Sequence, residues 1–275
     1  MALPNGPAGD TASGGAMPAG LGDLDQGPPC ETRPVTLTAV QTTSTPRAGR
    51  RFLPVGESEL IPDALAACER LPGSERGMVV VREMTGPIGI PDLTALVGPR
   101  RALDARLAHP APPILNRIDA SIVASTHLRA PRSSAAISRA LGWPLDLIER
   151  RLPELVLNGA LLEPRPRRYL RADPIRPLGR IFAVEAKVKD ASAAITQIRA
   201  YGSWADGCVL VMGRVGENSL GRLLAAVDED HSGLVVAGKP VRRPQIIQHD
   251  LPRRLWAAEH FVAALRGRHQ PSVAP

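Results

Sequence analysis

The stretch FAVEAKVKD (residues 182–190) alternates between apolar and polar side chains with a period of two residues. This is the period of a β-strand, in which successive side chains point to opposite faces. The even-numbered residues from Phe182 to Val188 form an apolar face, whereas Glu185 and Lys187 place a carboxylate and an ammonium group on the opposite face. The pattern fits a solvated strand edge with an ion pair, or a strand that presents both charges to a chemical site.

Helical and strand patterns alternate on both sides of this stretch, which is typical of an α/β sheet layered with helices. Residues 51–110 predict a helix that begins near Ile61, followed by strands at MVVVREM and IPDLTALVG. Residues 179–268 predict strand–helix–strand units and a final helix, PRRLWAAEHFVAAL. We therefore predict one α/β core with a mixed sheet, built from two separate parts of the chain.

The intervening residues 111–178 have a different pattern. They contain three helical segments and the basic hairpin LLEPRPRRYLR, an order typical of a winged helix-turn-helix domain. Asn158-Gly159 is suited to end the third helix in the left-handed conformation, whereas Pro153 should bend that helix. We therefore predict a winged-helix domain inserted between strands of the core.

The two ends of the chain predict disorder. Residues 1–50 are rich in Gly, Pro, Ala, Ser and Thr, and residues 269–275 have a similar polar composition. Such segments bury too little apolar surface to offset the entropy lost on ordering.

The composition favours a polyanionic partner and a soluble protein. The formal net charge is +7, and only 3% of the residues are aromatic, which argues against recognition by base stacking. Cys30, Cys68 and Cys208 lie far apart without a CxxC spacing, so they predict neither a zinc site nor a disulfide framework. No apolar run reaches the length of a membrane span, and we expect a cytoplasmic location without membrane contact.

The charged residues of the predicted core fit the chemistry of phosphodiester hydrolysis. Asp92 begins one strand just after the turn TGPIG, and Glu185 and Lys187 share one face of another. Two carboxylates and the backbone carbonyl of Ala186 would supply oxygen ligands to Mg²⁺ or Mn²⁺. Lys187 would orient a water molecule or stabilise developing negative charge.

These residues carry a resemblance to a known family. The pattern Pro91-Asp92 followed by Glu185-Ala186-Lys187 resembles the signature of the PD-(D/E)XK, or restriction-endonuclease-like, nuclease superfamily. The resemblance covers about residues 57–97 and 181–238, and its short motifs gain specificity only from their joint placement. It implies a Mg²⁺-dependent deoxyribonuclease with a restriction-endonuclease-like fold, and it implies that homodimers are common.

The resemblance also implies roles for further residues. The leading helix of that superfamily often bears a Glu, which best matches Glu57, with Glu59 as the alternative. Gln197 and Tyr201 lie one helical turn apart and are similar to the Gln-x-x-x-Tyr element of the exonuclease-like branch. The wide separation of Asp92 from Glu185 departs from the compact pattern, and an inserted domain would account for it.

Arginines of the predicted winged helix are candidates for contacts with DNA phosphates, which position a protein without specifying sequence. Those on or beside the helices are Arg139, Arg150 and Arg151, and those of the hairpin and the residues after it are Arg165, Arg167, Arg168 and Arg171.

Each of these candidate residues can also be explained without a functional site. Glu185 and Lys187 would then be an exposed ion pair, Asp92 a turn residue, Glu57 a helix-start acid, and Gln197 and Tyr201 ordinary helix-surface residues. The arginines would be a solvated basic hairpin, and winged helices also bind proteins. The alternatives to a nuclease are a non-catalytic DNA-binding protein on a nuclease-like scaffold and a protein-binding enzyme or adaptor.

Overall fold

The fold is taken from a computed structural model that describes residues 56–269, without the side chains of Glu217, Asn218, Arg268 and His269. The predicted C-terminal tail, residues 269–275, begins one residue too early, because His269 is the last residue of the final helix. Residues 270–275, the tail predicted over residues 1–50, and Cys30 lie outside the described residues. A 3₁₀ turn, Glu57–Leu60, precedes the first helix. The strands are β1 (Met78–Arg82), β2 (Leu93–Val97), β3 (Arg132–Ser133), β4 (Leu161–Arg165), β5 (Arg168–Arg171), β6 (Arg180–Lys187), β7 (Gly207–Met212), β8 (Gly233–Val236) and β9 (Lys239–Arg242). The helices are α1 (Ile61–Glu69), α2 (Arg100–Ala108), α3 (Arg117–Ser125), α4 (Ser134–Leu141), α5 (Leu145–Leu157), α6 (Ala191–Gly202), α7 (Glu217–Glu229) and α8 (Leu251–His269).

Six of the described strands form one mixed sheet in the order β1-β2-β6-β7-β8-β9. Neighbouring strands are antiparallel from β1 to β6 and from β8 to β9, whereas β6, β7 and β8 are parallel. Parallel neighbours need a crossover connection, and α6 and α7 provide it. The predicted α/β class with a mixed sheet flanked by helices is confirmed.

Both faces of this sheet are buried, which explains the near-continuous apolar character of its central strands. On one face, α1 packs over Phe182, Val184 and Ala186 of β6. On the other face, Ile181 and Ala183 of β6 pack with α6, α7 and α8. The alternation predicted for β6 is therefore confirmed, and Glu185 and Lys187 continue the face that α6 covers.

Residues 98–179 leave the sheet after β2 and return to it at β6, so the two neighbouring strands are far apart in sequence. This part of the chain contains α3, α4, α5 and a second antiparallel sheet with the strand order β3-β5-β4. The side chains of Asn116 and Ser133 cap α3 and α4 by accepting bonds from the backbone N–H groups of Ile118 and Ala136.

We name residues 111–178 the middle segment. Its apolar core is completed by a residue from outside this range. Ile122, Ile137 and Leu152 lie in the same buried cluster as Leu255, which belongs to α8 and is fully buried. α8 therefore contributes to the apolar cluster of the main sheet as well as to this one.

Several details of the middle segment bear on the local predictions. α5 continues through Pro153 and ends at Leu157, with Gly159 at a φ of 78° in the left-handed region. The predicted end of this helix is therefore confirmed. α2, β3 and β9 were not predicted from the sequence. Within residues 56–269, no helix combines the length and the apolar character needed to cross a membrane.

A buried ion pair joins α2 to α8. Arg106 Nε and Nη2 donate to the two carboxylate oxygens of Glu259 at 2.8 and 2.6 Å, and both side chains are fully buried. Arg106 also donates to the carbonyls of Ala111 and Pro112, and Glu259 accepts the N–H of Ile114. The pair therefore fixes the chain where it enters the middle segment.

We expect Glu259→Ala to lower the free energy of unfolding by about 3–5 kcal/mol, because it leaves the Arg106 guanidinium charged and unpaired in the core. Urea denaturation followed by far-UV circular dichroism measures this loss. The double variant Arg106→Met/Glu259→Leu should recover part of it, since both charges are then gone. A double variant less stable than Glu259→Ala would contradict this account.

Candidate active site

The pairing of β2 with β6 places Asp92 beside Glu185. Leu93 is the antiparallel partner of Val184, so the next residue pair in the same register is Asp92 and Glu185. Asp92 Oδ2 accepts the backbone N–H of Ala186 at 2.7 Å, across 94 residues of sequence. The Ala186 carbonyl also points toward the β2 side of β6, because the N–H and C=O of a strand residue face the same neighbouring strand.

Glu185 is buried and each of its carboxylate oxygens has a donor. Glu185 is only 2% exposed. Lys187 Nζ lies 2.8 Å from Glu185 Oε1, and the Tyr201 hydroxyl donates to Glu185 Oε2 at 3.1 Å. Glu185 and Lys187 are therefore not a solvated strand edge. Tyr201, also 2% exposed, is not a helix-surface residue.

Lys187 joins Glu185 to the first turn of the described chain. Its Nζ lies 3.2 Å from Glu57 Oε1, and the Lys187 side chain is 14% exposed whereas that of Glu57 is 47% exposed. Glu57, the better match of the two alternatives weighed from the sequence, contacts Lys187. We name these five residues the acid–lysine cluster: Glu57, Asp92, Glu185, Lys187 and Tyr201.

The pKa values within the cluster follow from burial and from the surplus of acids. Burial raises the pKa of Asp92, although the bond from Ala186 and the charge of Lys187 oppose this. Burial also raises the pKa of Glu185, against the bond from Lys187, and the nearby Asp92 charge raises it further. The carboxylates of Asp92 and Glu185 therefore both resist ionisation in the folded protein.

The Lys187 ammonium is held in its charged form. Burial alone would lower the pKa of Lys187, but its bonds to Glu185 and Glu57 outweigh burial and raise that pKa. Lys187 is consequently a hydrogen-bond donor at neutral pH and not a proton acceptor. Burial and the Glu185 charge raise the pKa of the Tyr201 hydroxyl as well, so it also remains a donor.

The loop between β1 and β2 (residues 83–92) supports the cluster from one side. Gly89 has a φ of 77°, and a Cβ at this position would lie 2.8 Å from Cε1 of the Tyr201 ring. Trp204 Nε1 donates to the carbonyl of Ile88 at 3.0 Å, and Gly86 N–H donates to the carbonyl of Gly89 at 3.0 Å. This support was not predicted from the sequence, although the glycines of TGPIG are a local signal of it.

Gln197 is the predicted residue that the structure does not join to the cluster by a hydrogen bond. It is half-buried, and its Oε1 atom is buried with no hydrogen-bond partner among residues 56–269. Its position one turn before Tyr201 on α6 is as predicted.

The donor set of the cluster fits a hard divalent cation only as a partly hydrated ion. Within residues 56–269, no group of three or more His, Cys, Asp or Glu side chains is placed to hold a metal. Where the start of β2 meets the end of β6, oxygen atoms come from the carboxylates of Asp92 and Glu185 and from the carbonyl of Ala186. Mg²⁺ commonly keeps several waters and uses one or two carboxylates, so this oxygen set suits it.

The predicted DNA-contacting arginines are divided by the structure. Arg139, Arg165, Arg167 and Arg168 are exposed, the last three at the β4–β5 hairpin. Arg150 is also exposed and lies 3.2 Å from Asp146 on the same helix, a pairing that contributes little energy.

Arg151 and Arg171 are placed differently. Arg151 makes two hydrogen bonds to the Asp119 carboxylate, at 2.7 and 2.5 Å, which tie α5 to α3. Arg171 is half-buried, and burial followed by the charge of Arg176 lowers its pKa. Burial and internal pairing therefore leave these two guanidinium groups less accessible to a phosphate than the sequence suggests.

The sequence matches no known protein-family model, and neither the curated proteins nor the solved structures compared with it gave a match. The chemistry of the acid–lysine cluster is therefore argued from its own residues.

We expect Gly89→Ala to disturb the cluster through Tyr201, because the added methyl meets the ring and the left-handed φ is strained for alanine. The free energy of unfolding should fall by about 1–3 kcal/mol in urea denaturation. Gly202→Ala is the matched control, since a Cβ there meets nothing within 4 Å. Equal stability of the two variants would refute the proposed support.

The raised pKa values predict a pH-dependent cost of ionising Asp92. The folded state binds the proton more tightly than the unfolded state, so stability falls as pH rises from about 4 through the raised pKa. In EDTA, Asp92→Asn should therefore gain stability relative to the wild type over this range. Thermal melting at successive pH values measures the difference, and a difference that moves in favour of the wild type would contradict the burial of this charge.

Proposed function

We propose that this protein is a metal-dependent DNA nuclease that hydrolyses phosphodiester bonds at the acid–lysine cluster. One observation supports the proposal most strongly: Asp92, Glu185 and Lys187 lie in one small volume although 94 residues separate Asp92 from Ala186. Their order on the strands resembles the PD-(D/E)XK signature. The proposal thus rests on geometry and residue chemistry together.

Each residue of the cluster has a defined role in this proposal. Asp92, Glu185 and the Ala186 carbonyl would hold Mg²⁺ or Mn²⁺, which when bound acidifies a water and neutralises charge on the phosphate. Lys187 donates a hydrogen bond to the phosphate or the attacking water, because its ammonium stays protonated. Tyr201 orients Glu185 through its hydroxyl. Glu57 holds the Lys187 ammonium from the exposed side.

The middle segment would deliver DNA to this site. We propose that α3, α4, α5 and the β4–β5 hairpin form the winged helix-turn-helix predicted from the sequence. Three exposed arginines at the hairpin and Arg139 on α4 supply positive charge for phosphate contacts. Arg151 and Arg171 are left out of this surface because of their internal placement.

Plasmid nicking in Mg²⁺, Mn²⁺ or EDTA tests the proposal. We expect nicking with either metal and none in EDTA. Asp92→Asn should lower the rate by about 10²–10³-fold, since it removes a charged ligand but keeps an oxygen that accepts the Ala186 N–H. Lys187→Ala should lower the rate by a similar factor.

Lys189→Ala is the matched control, because Lys189 is exposed and lies two residues beyond Lys187. Thermal melting of each variant separates loss of activity from loss of fold. Nicking that survives in both folded variants, Asp92→Asn and Lys187→Ala, would overturn the nuclease proposal.

A non-catalytic DNA-binding protein is the second candidate function. The observation that favours it is the close ion pair of Lys187 with Glu185, which partly neutralises the cluster without a metal. This alternative predicts salt-sensitive DNA binding with no metal requirement and no nicking. Fluorescence anisotropy of a labelled duplex over a salt series, with and without EDTA, distinguishes the two functions.

A further inference from the structure

Two large apolar side chains are exposed directly beside the acid–lysine cluster. Ile88 and Ile90 are 49% and 55% exposed, and they lie on the β1–β2 loop on either side of Gly89. Single exposed apolar residues are common on protein surfaces, but two of them at the tip of one loop form a small apolar patch. We name this pair the isoleucine tip.

The backbone of the isoleucine tip is fixed from both sides of the loop. Trp204 Nε1 donates to the Ile88 carbonyl, and His260 Nδ1 donates to the Thr85 carbonyl at 3.1 Å. The Glu83 N–H donates to the Asp92 carbonyl at 3.0 Å and closes the base of the loop. Because this backbone is anchored to α8 and to the residues that follow α6, the two isoleucines are held toward solvent.

The isoleucine tip is also close to the reacting groups of the proposed site. Ile90 precedes Asp92 by two residues, so their Cα atoms lie within about 7 Å. Gly89 lies against the Tyr201 ring, and the hydroxyl of that ring donates to Glu185. The isoleucine tip therefore lies on the same loop as Asp92 and next to the residue that contacts Tyr201.

The largest apolar surfaces that a nucleic acid offers such a tip are the faces of its bases, which exceed the thymine methyl group and the C–H groups of the sugars in area. The aromatic rings nearest the cluster cannot stack on a base, because Tyr201 and Trp204 are only 2% and 1% exposed. Aliphatic side chains are known to insert between base steps and unstack them.

We propose that Ile88 and Ile90 insert against unstacked bases next to the phosphate bound by the acid–lysine cluster. This inference rests on the proposed function and names its substrate class: DNA with an unpaired or distorted base beside the cleaved bond. Rigid placement of the tip favours bases that are already unstacked, because unstacking a paired step costs a few kcal/mol.

The test measures binding without cleavage, in Mg²⁺, with Asp92→Asn as the parent protein. Two DNA duplexes carry the fluorescent base 2-aminopurine at the same position, unpaired in a bulge in one duplex and paired in the other. We expect the parent to bind the bulged duplex more tightly and to increase its fluorescence. Adding Ile88→Ser and Ile90→Ser should weaken binding to the bulged duplex about tenfold and abolish the increase.

Val241→Ser in the same parent is the matched control. Val241 is a β-branched residue that is 44% exposed on β9, at the opposite edge of the sheet from β1. This variant should bind and brighten the bulged duplex as the parent does. Loss of fold in the isoleucine variant is checked by its thermal melting midpoint.

Three results would overturn the inference: equal binding and fluorescence with and without the isoleucines, no preference of the parent for the bulged duplex, or dissociation of an oligomer when the isoleucines are replaced. The last result would identify the tip as a contact between copies of the chain. Plasmid nicking by the wild type is scored separately. If the wild type nicks DNA but the isoleucine replacements change neither binding nor fluorescence, only this inference is wrong. If the replacements have the expected effect but the wild type does not nick DNA, only the proposed hydrolysis is wrong.

Discussion

The antiparallel pairing of β2 with β6 is the constraint on which the rest of the arrangement depends. It places the last residue of the β1–β2 loop, Asp92, beside the interior strand β6, where the Asp92 carboxylate accepts the Ala186 N–H. Because side chains alternate along a strand, a shift of one residue would turn Glu185 and Lys187 toward α1 and the apolar side chains toward Tyr201. Burial of both faces therefore fixes the register, and the register assembles the acid–lysine cluster.

The long excursion between these two strands is stabilised by contacts that return to α8. Closing a longer loop costs little more than closing a short one, since the entropic cost grows with the logarithm of length. The excursion needs a fixed point where the chain enters the middle segment, and an apolar core shared with the rest of the protein. The Arg106–Glu259 pair fixes that point, and Leu255 completes the apolar cluster of the middle segment. α8 is thus the element that holds the two parts together.

The elements that the sequence predicted are those whose signal is local. The two-residue period of β6 and the apolar spacing of α1 and α6 can be read within a single window, and so can the Asp and Glu-x-Lys residues. α2 escaped prediction because its buried Arg106 looks like a surface residue until Glu259, 153 positions later, is placed beside it. The same holds for Arg151, whose partner Asp119 lies on a different helix. The motif order predicted that the cluster would form, whereas its support by Gly89 depends on a long-range contact with the Tyr201 ring that no local pattern records.

The Arg106–Glu259 pair and the acid–lysine cluster differ in how well their charges are matched. Glu259 has one arginine and one backbone N–H as donors, and its pair with Arg106 has no excess charge. In the acid–lysine cluster, one ammonium faces three carboxylates, and burial raises the pKa of both Asp92 and Glu185. A fold selected only for stability would gain by replacing one of these acids with an apolar residue, because unmatched buried charge is costly. In the proposed nuclease this surplus of negative charge would be balanced by the bound cation, and it lies near the end of β6, where Ala186 adds a carbonyl oxygen.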